Sequence, residues 1–196
     1  MGIIQVICVA YKRAIPLRIL IDSFMVQTSD RWNLHIIHDG PVPVDVQDTF
    51  DLYASDDKVT FYQSQKRLGN YGHPNRKQML DRLKANPKDF VLMTNDDNYY
   101  VPTFVENMLT DLARDTGMVM CNTLHNYMGY DVHDSKPFEN EIDMGAFIVA
   151  YPVAVKAGFK HTNFSADGRY CVDCAELCRK ANLKIKKINK PYFIHN

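Results

Sequence analysis

Phe90-Val91-Leu92-Met93-Thr94 runs apolar without a charge, stops on Asn95-Asp96-Asp97-Asn98, and continues as Tyr99-Tyr100-Val101-Pro102. Successive side chains of a strand point to opposite faces, so an unbroken apolar run of this length marks a strand covered on both sides. Two adjacent carboxylates at the end of such a strand are costly, because like charges within a few ångströms raise one another's pKa unless a cation or a donor intervenes. A divalent ion bridging a diphosphate is the usual resolution, and hard oxygen ligands suit Mg²⁺ or Mn²⁺. The competing reading makes Asp96 a cap for the helix expected after Pro102, or Asp97-Asn98 a plain turn.

Outward from this strand the sequence alternates. Ile3–Ala10 and Leu34–His38 are two more buried apolar runs, and Val59–Gln63, Met118–Cys121, Gly145–Tyr151 and Lys184–Ile188 read as further strands. Between them, helical spacing of apolar residues predicts helices over 17–27, 45–53, 75–85, 102–114 and 168–181. Strand–helix alternation predicts an α/β fold, a mixed and mostly parallel sheet flanked by helices, in one domain spanning 1–196. Ligands of such sheets sit beyond the carboxyl ends of the strands. The residues to inspect are then Ala10-Tyr11-Lys12-Arg13, His38-Asp39-Gly40 and Asn95-Asp96-Asp97, which are polar and include three carboxylates.

Lys plus Arg and Asp plus Glu balance at 23 each, so no global field points to nucleic acid or an anionic membrane. No apolar run approaches the ~20 residues that span a bilayer, and the start carries no export signal. Five cysteines form an odd set, which points to a reducing, cytoplasmic setting. Cys171, Cys174 and Cys178 could suggest zinc, yet no second pair of ligands lies nearby. At helical spacing they mark a buried stripe.

The segment 90–102 resembles the metal-binding strand end of family 2 glycosyltransferases with the GT-A fold, and is most similar to the spore-coat-polysaccharide type with its T-D-D-N-x-Y-x-P pattern. Val6–Arg13 is similar to that family's opening strand, 20–28 to its first helix and 34–41 to its second strand. Gly69-Asn70 with Asn75-Arg76, and Gly145-Ala146-Phe147 with Gly158-Phe159, resemble its later segments in order. The resemblance implies an inverting transfer of a sugar from a nucleotide-sugar donor to a hydroxyl of a saccharide acceptor, with Mn²⁺ or Mg²⁺ on the diphosphate. It implies a nucleotide-binding N-terminal half and an acceptor-binding C-terminal half. Ala10, Tyr11 and Arg13 would line the nucleotide pocket, with Tyr11 stacked on the base. Asp39 would accept from the uracil imide N–H, a donor cytosine lacks, so UDP-sugars are favoured. Arg67 and Arg76 would contact base or phosphate. Asp96 would hold the ribose or a metal-bound water, Asp97 would ligate the metal, and His195 is similar to the His that completes the metal shell in some members. A core aromatic, a turn, solvated arginines and a frayed-end histidine are the respective alternatives.

An inverting transfer needs a general base. The family places an acidic residue near the start of the late helix, and this sequence departs from the usual Glu-Asp pair. Asp167, at the loop-to-helix junction, and Asp173, six residues before Arg179, compete; Asp167 fits the distance from Gly158-Phe159 better, and a helix cap is its rival reading. The polar and aromatic segment holding His125, Asn126, Tyr127, Tyr130, Asp131 and His133 suits a sugar-binding loop. Two other functions compete. A sugar-phosphate nucleotidyltransferase would carry a Gly-rich loop after the first strand, and residues 10–16 hold no glycine. The other is a non-catalytic sugar- or nucleotide-binding module, perhaps one domain of a larger chain.

Overall fold

The computed structural model describes residues 2–196. Its core is a nine-stranded mixed sheet in the order β3-β2-β1-β4-β8-β6-β9-β5, with β7 paired to β6. The strands are β1 (Ile4–Ala10), β2 (Trp32–His38), β3 (Val59–Gln63), β4 (Phe90–Asn95), β5 (Tyr99–Tyr100), β6 (Thr116–His125), β7 (Asp131–His133), β8 (Phe147–Ala150) and β9 (Lys184–His195). The helices are α1 (Ala14–Met25), α2 (Val44–Tyr53), α3 (His73–Arg82), α4 (Phe104–Leu109), α5 (Tyr151–Ala157) and α6 (Ala166–Lys180).

The N-terminal half is parallel throughout: β1 lies between β2 and β4, and β3 flanks β2. Every residue of β1 is buried, as an apolar strand covered by helices on both faces requires. Beyond β4 the sheet turns mixed. β8 runs antiparallel to β4 and β6, and β9 runs parallel to β6.

Three departures from the sequence reading have physical causes. The helix expected over 102–114 is only Phe104–Leu109, because Thr110 is extended and Asp111 takes a left-handed φ of 51°; Leu112 still packs on the core from the turn, which explains the misleading periodicity. The segment 145–151 divides into a 3₁₀ turn, β8 and the start of α5, whose Pro152 suits a first helical turn. The last strand does not stop at Ile188. A register shift between Cys121 and Asn122 of β6 carries its pairing from Ile188 to Pro191, accommodating a residue without a backbone donor, and β9 continues to His195. Two strands, β5 and β7, are too short for the sequence to show a period. Cys171, Cys174 and Cys178 are buried free thiols on one face of α6, as core residues should be.

Candidate active site

The carboxyl ends of β1, β2 and β4 meet through backbone. The Asp39 N–H donates to Ala10 O at 2.9 Å, the Lys12 N–H to His38 Nε2 at 3.2 Å, and the Tyr11 N–H to Asp96 Oδ2 at 2.9 Å. Arg13, at the N-terminal edge of α1, donates from Nη2 to Asp96 Oδ1 and from Nη1 to Asp97 Oδ2. One fork-shaped cation thus serves both carboxylates, the geometry for which guanidinium is suited. Asp96 is fully buried, and that burial pushes its pKa up to about 6; Arg13 and the Tyr11 amide oppose the rise, while Asp97 adds to it.

On one side of this pair lies a cleft of about 560 Å³ whose lining includes Ala10, Tyr11, Arg13, Asp39, Arg67 and Asn95. Asp39 is buried and accepts from the Leu68 N–H (2.7 Å) and Asn75 Nδ2 (2.9 Å) on Oδ1, and from the Gly69 N–H (3.0 Å) on Oδ2. A carboxylate offers about four acceptor sites, so one on Oδ2 stays available. The Arg67 guanidinium lies 4.3 Å from the centre of the Tyr11 ring and covers one face of it. The Asp39 bonds also shape the loop 69–72, in which four consecutive residues have positive φ (68°, 48°, 55° and 77°). Gly72 has a second reason to be glycine, since a Cβ there would sit 2.6 Å from Val9 Cγ1.

On the other side is a cleft of about 510 Å³, lined by Arg76, Asn95, His125, Asp143, Asp167 and His195 among others; Asn95 and Tyr71 line both clefts. Arg76 is only 1% exposed. It donates from Nη1 to Tyr71 O (2.6 Å) and from Nη2 to Asn95 Oδ1, its Nη1 also lies 3.2 Å from His73 Nδ1, and its Nε is buried with no partner. Burial lowers its pKa to about 10, against nearby Asp167, Asp96 and Asp97, yet no carboxylate pairs with it directly among the described residues. A buried guanidinium without a counter-ion is a high-cost feature that an anionic ligand would relieve.

Asp167 stands in the first turn of α6 and accepts the neighbouring Gly168 N–H at 3.1 Å. Burial raises its pKa, an effect opposed by that amide, its own, and Arg76. Asp173, the competing base, lies one and a half turns further along α6. Its carboxylate is held at 2.9 Å by His161 Nε2, and it lines neither cleft. The structure therefore brings Asp167, Arg76 and His195 into the second cleft, beside the Asn95 that precedes the acidic pair, and leaves Asp173 outside it.

Two observations bear on a metal. Asp97 Oδ1 is buried without a hydrogen-bond partner. His195, delivered by the long β9, stands directly across from His125 of β6 and converges with Asp143, ligand atoms of all three lying within 4.8 Å of one another. The Asn196 side chain donates to Asp97 O at 2.6 Å, tying the end of β9 to the acidic pair. Carboxylate and imidazole together form a donor set that fits a divalent ion. Asn95 is among the strand-end residues that the sequence picks out, whereas Asp143 and His73 are not. Asp143 sits in an irregular stretch, and its partners are 18 and 52 residues away, so no local spacing could reveal it.

This α/β fold, with its acidic pair at the end of β4 and clefts on both sides, has the layout of a nucleotide-sugar enzyme. The family model described as glycosyl transferase family 2 matches residues 5–161, and the chain belongs to that family. No curated protein sequence matches it. Among solved structures it is similar to S. aureus TarS (14% identity, TM-score 0.77, 100% of this chain and 37% of that one). It is also similar to TarS 1-349 in complex with UDP-GlcNAc (14%, 0.73, 100% and 58%). A third is the mannosyltransferase PcManGT from Pyrobaculum calidifontis in complex with GDP-Man and Mn²⁺ (13%, 0.71, 98% and 56%). At these identities the likeness is one of fold, and the chain spans well under two thirds of each of these proteins. No helix among the described residues is long and apolar enough to cross a membrane.

Proposed function

We propose that this glycosyltransferase moves a sugar, with inversion, from a UDP-sugar to a hydroxyl of a saccharide acceptor, aided by a divalent metal on the diphosphate. The observation that carries the reading is Asn95, which lines both clefts at the head of the acidic pair, with Arg13, bonded to Asp96 and Asp97, in the first cleft and Asp167 with Arg76 in the second. The first cleft takes the nucleoside: Tyr11 offers a ring face, the spare site of Asp39 accepts the uracil imide, and Arg67 closes over them. This assigns nucleotide binding to the N-terminal half and acceptor binding to the C-terminal half.

In the second cleft the acceptor oxygen attacks the anomeric carbon as the bond to the diphosphate oxygen breaks, and Asp167 takes the hydroxyl proton. The raised pKa of Asp167 makes it a stronger base than an exposed carboxylate, which suits that task. Arg76 and Arg13 stabilise charge developing on the leaving diphosphate, and their fixed positions mean little reorganisation is needed. Asp97 and His195 would hold the metal, whose chemistry is Lewis-acid neutralisation of the same leaving group. The buried free cysteines suit a reducing compartment, and we place the enzyme in the cytoplasm.

Calorimetric titration with UDP in Mn²⁺ buffer tests this reading. We expect binding that Asp97→Ala abolishes; unchanged affinity in that variant contradicts the assignment of Asp97.

A further inference from the structure

We infer that Tyr71 and Phe164 form an aromatic corner at the mouth of the second cleft that grips a pyranose ring of the acceptor, which makes them specificity-determining residues for the transfer. The inference rests on the transferase reading above and deepens it by naming what selects the acceptor.

Both rings face solvent, Tyr71 at 67% and Phe164 at 79% exposure. Their centres lie 5.7 Å apart with the planes at 77°, so the two rings meet as a floor and a wall. Both line the second cleft, and Asp167 follows Phe164 by three residues in the same lining. Three residues of chain span at most about 10 Å, which puts the hydroxyls of a sugar packed on Phe164 near the base. A single apolar side chain in solvent is ordinary, whereas paired aromatics at the mouth of a polar cleft mark a binding surface.

The backbone under each ring is held in place. Tyr71 has a left-handed φ of 55°, uncommon for so bulky a residue, and its carbonyl accepts from Arg76 Nη1 at 2.6 Å. Phe164 follows Asn163, whose carbonyl accepts from His73 Nε2 at 3.1 Å and from the Ala166 N–H at 3.0 Å. His73 is buried, and its Nδ1 accepts from Arg76 Nη1 at 3.2 Å. One neutral imidazole in a single tautomer therefore joins the two ring-bearing segments. Burial, with Arg76 beside it, lowers the His73 pKa to about 4 and keeps the ring neutral. Rings left in water add little to folding, so this fixed frame serves a ligand, as rare backbone conformations at ligand clamps do.

The chemistry of the corner selects a saccharide. An aromatic ring is negative on its face and positive at its edge. A pyranose gathers C–H groups on a face, apolar and slightly positive, and carries its hydroxyls around the rim. The C–H face packs on the rings while the hydroxyls reach polar groups of the same cleft, among them Asn95, Asp143 and Asp167. Neither ring supplies a charge for a phosphate. Tyr71 also lines the first cleft, so its ring stands between the donor and acceptor sides.

A glycan array probed with the wild-type chain in UDP and Mn²⁺ tests this. We expect binding to pyranose-containing glycans. For the strongest of them, calorimetry should show affinity lowered about tenfold or more by Phe164→Ala and by Tyr71→Gly, and near-native affinity in Phe164→Trp. Glycine adopts the left-handed φ of position 71 without strain, so Tyr71→Gly removes the ring and keeps the loop; calorimetric melting checks that each variant is folded. In the wild-type complex, nuclear Overhauser contacts should join the C–H protons of the glycan to the Tyr71 and Phe164 rings, a readout that needs no substitution. No glycan bound by the wild type, no such contacts, or native affinity in either folded ring-deleted variant would overturn the inference. So would ring-dependent binding to phosphatidylcholine–phosphatidylglycerol vesicles in place of glycans. UDP release from UDP-sugars by the wild-type chain separates the two readings. UDP release without ring-dependent glycan binding sinks this inference and leaves the transferase standing; ring-dependent glycan binding without UDP release from any UDP-sugar does the reverse.

Discussion

Replacing Asp96 with Asn should stabilise the metal-free protein, and more so as pH rises. In the folded chain the Asp96 carboxyl holds its proton up to about pH 6, because burial outweighs the help from Arg13 and the Tyr11 amide; the ordinary value is 3.8. Between those values the native state binds the extra proton, so stability from this group is fully present below the unfolded value and falls as pH rises to about 6. A shift of about two units corresponds to ~3 kcal/mol at neutral pH. The asparagine has no charge to desolvate, is nearly the same size, and can still accept the Tyr11 N–H through its carbonyl. Arg13 keeps Asp97 as partner. The full ~3 kcal/mol is an upper bound, and at ~2–4 °C per kcal/mol for a chain this size it amounts to no more than ~12 °C. Differential scanning calorimetry of both proteins in EDTA at pH 4 and pH 7.5 measures it. The melting temperatures should nearly coincide at pH 4 and separate at pH 7.5, with the variant higher. A variant less stable at pH 7.5, or a difference independent of pH, would refute the reasoning. The cost that evolution accepts here is then functional, and the same variant should bind UDP more weakly.

Further outcomes follow from the second cleft and the core beneath it. Asp167→Asn should lower kcat roughly 10²–10⁴-fold, the usual worth of a general base, with UDP affinity kept, whereas Asp173→Asn, which breaks only a half-exposed pair with His161, should turn over near the native rate; steady-state kinetics of the two decides between them. Gly145→Ala places a Cβ 2.5 Å from the Phe193 ring and 2.7 Å from the Tyr100 hydroxyl, so it should lose ~1–3 kcal/mol by overpacking, read as a lowered midpoint in urea.

Much of this molecule was legible in advance because its chemistry sits at strand ends. The apolar runs leading to Ala10, His38 and Asn95 specify buried parallel strands, and a parallel sheet brings their carboxyl ends together, so Arg13, Asp39 and Asp96 could be grouped from sequence. What could not be read lies in the mixed half. His125, Asp143 and His195 meet only because β9 runs on past a proline through a register shift, and no periodicity announces that. Asp39 shows the opposite limit. Its position was foreseen, yet its three bonds to Leu68, Gly69 and Asn75 depend on a loop with four left-handed residues that no short motif encodes. Asp167 and Asp173 both suited the family's spacing, and only the direction of α6 separates one facing the cleft from one held by His161.

The central claim, that the chain uses a nucleotide sugar as donor and a metal to release it, is tested most directly by one donor screen. UDP-, GDP- and dTDP-sugars would be incubated with the protein and Mn²⁺, with and without EDTA, and release of free nucleoside diphosphate followed. The account predicts UDP release from a UDP-sugar, at least tenfold over the GDP and dTDP series, and lost in EDTA. No release from any donor, or release of a sugar phosphate in the presence of pyrophosphate instead, would contradict it.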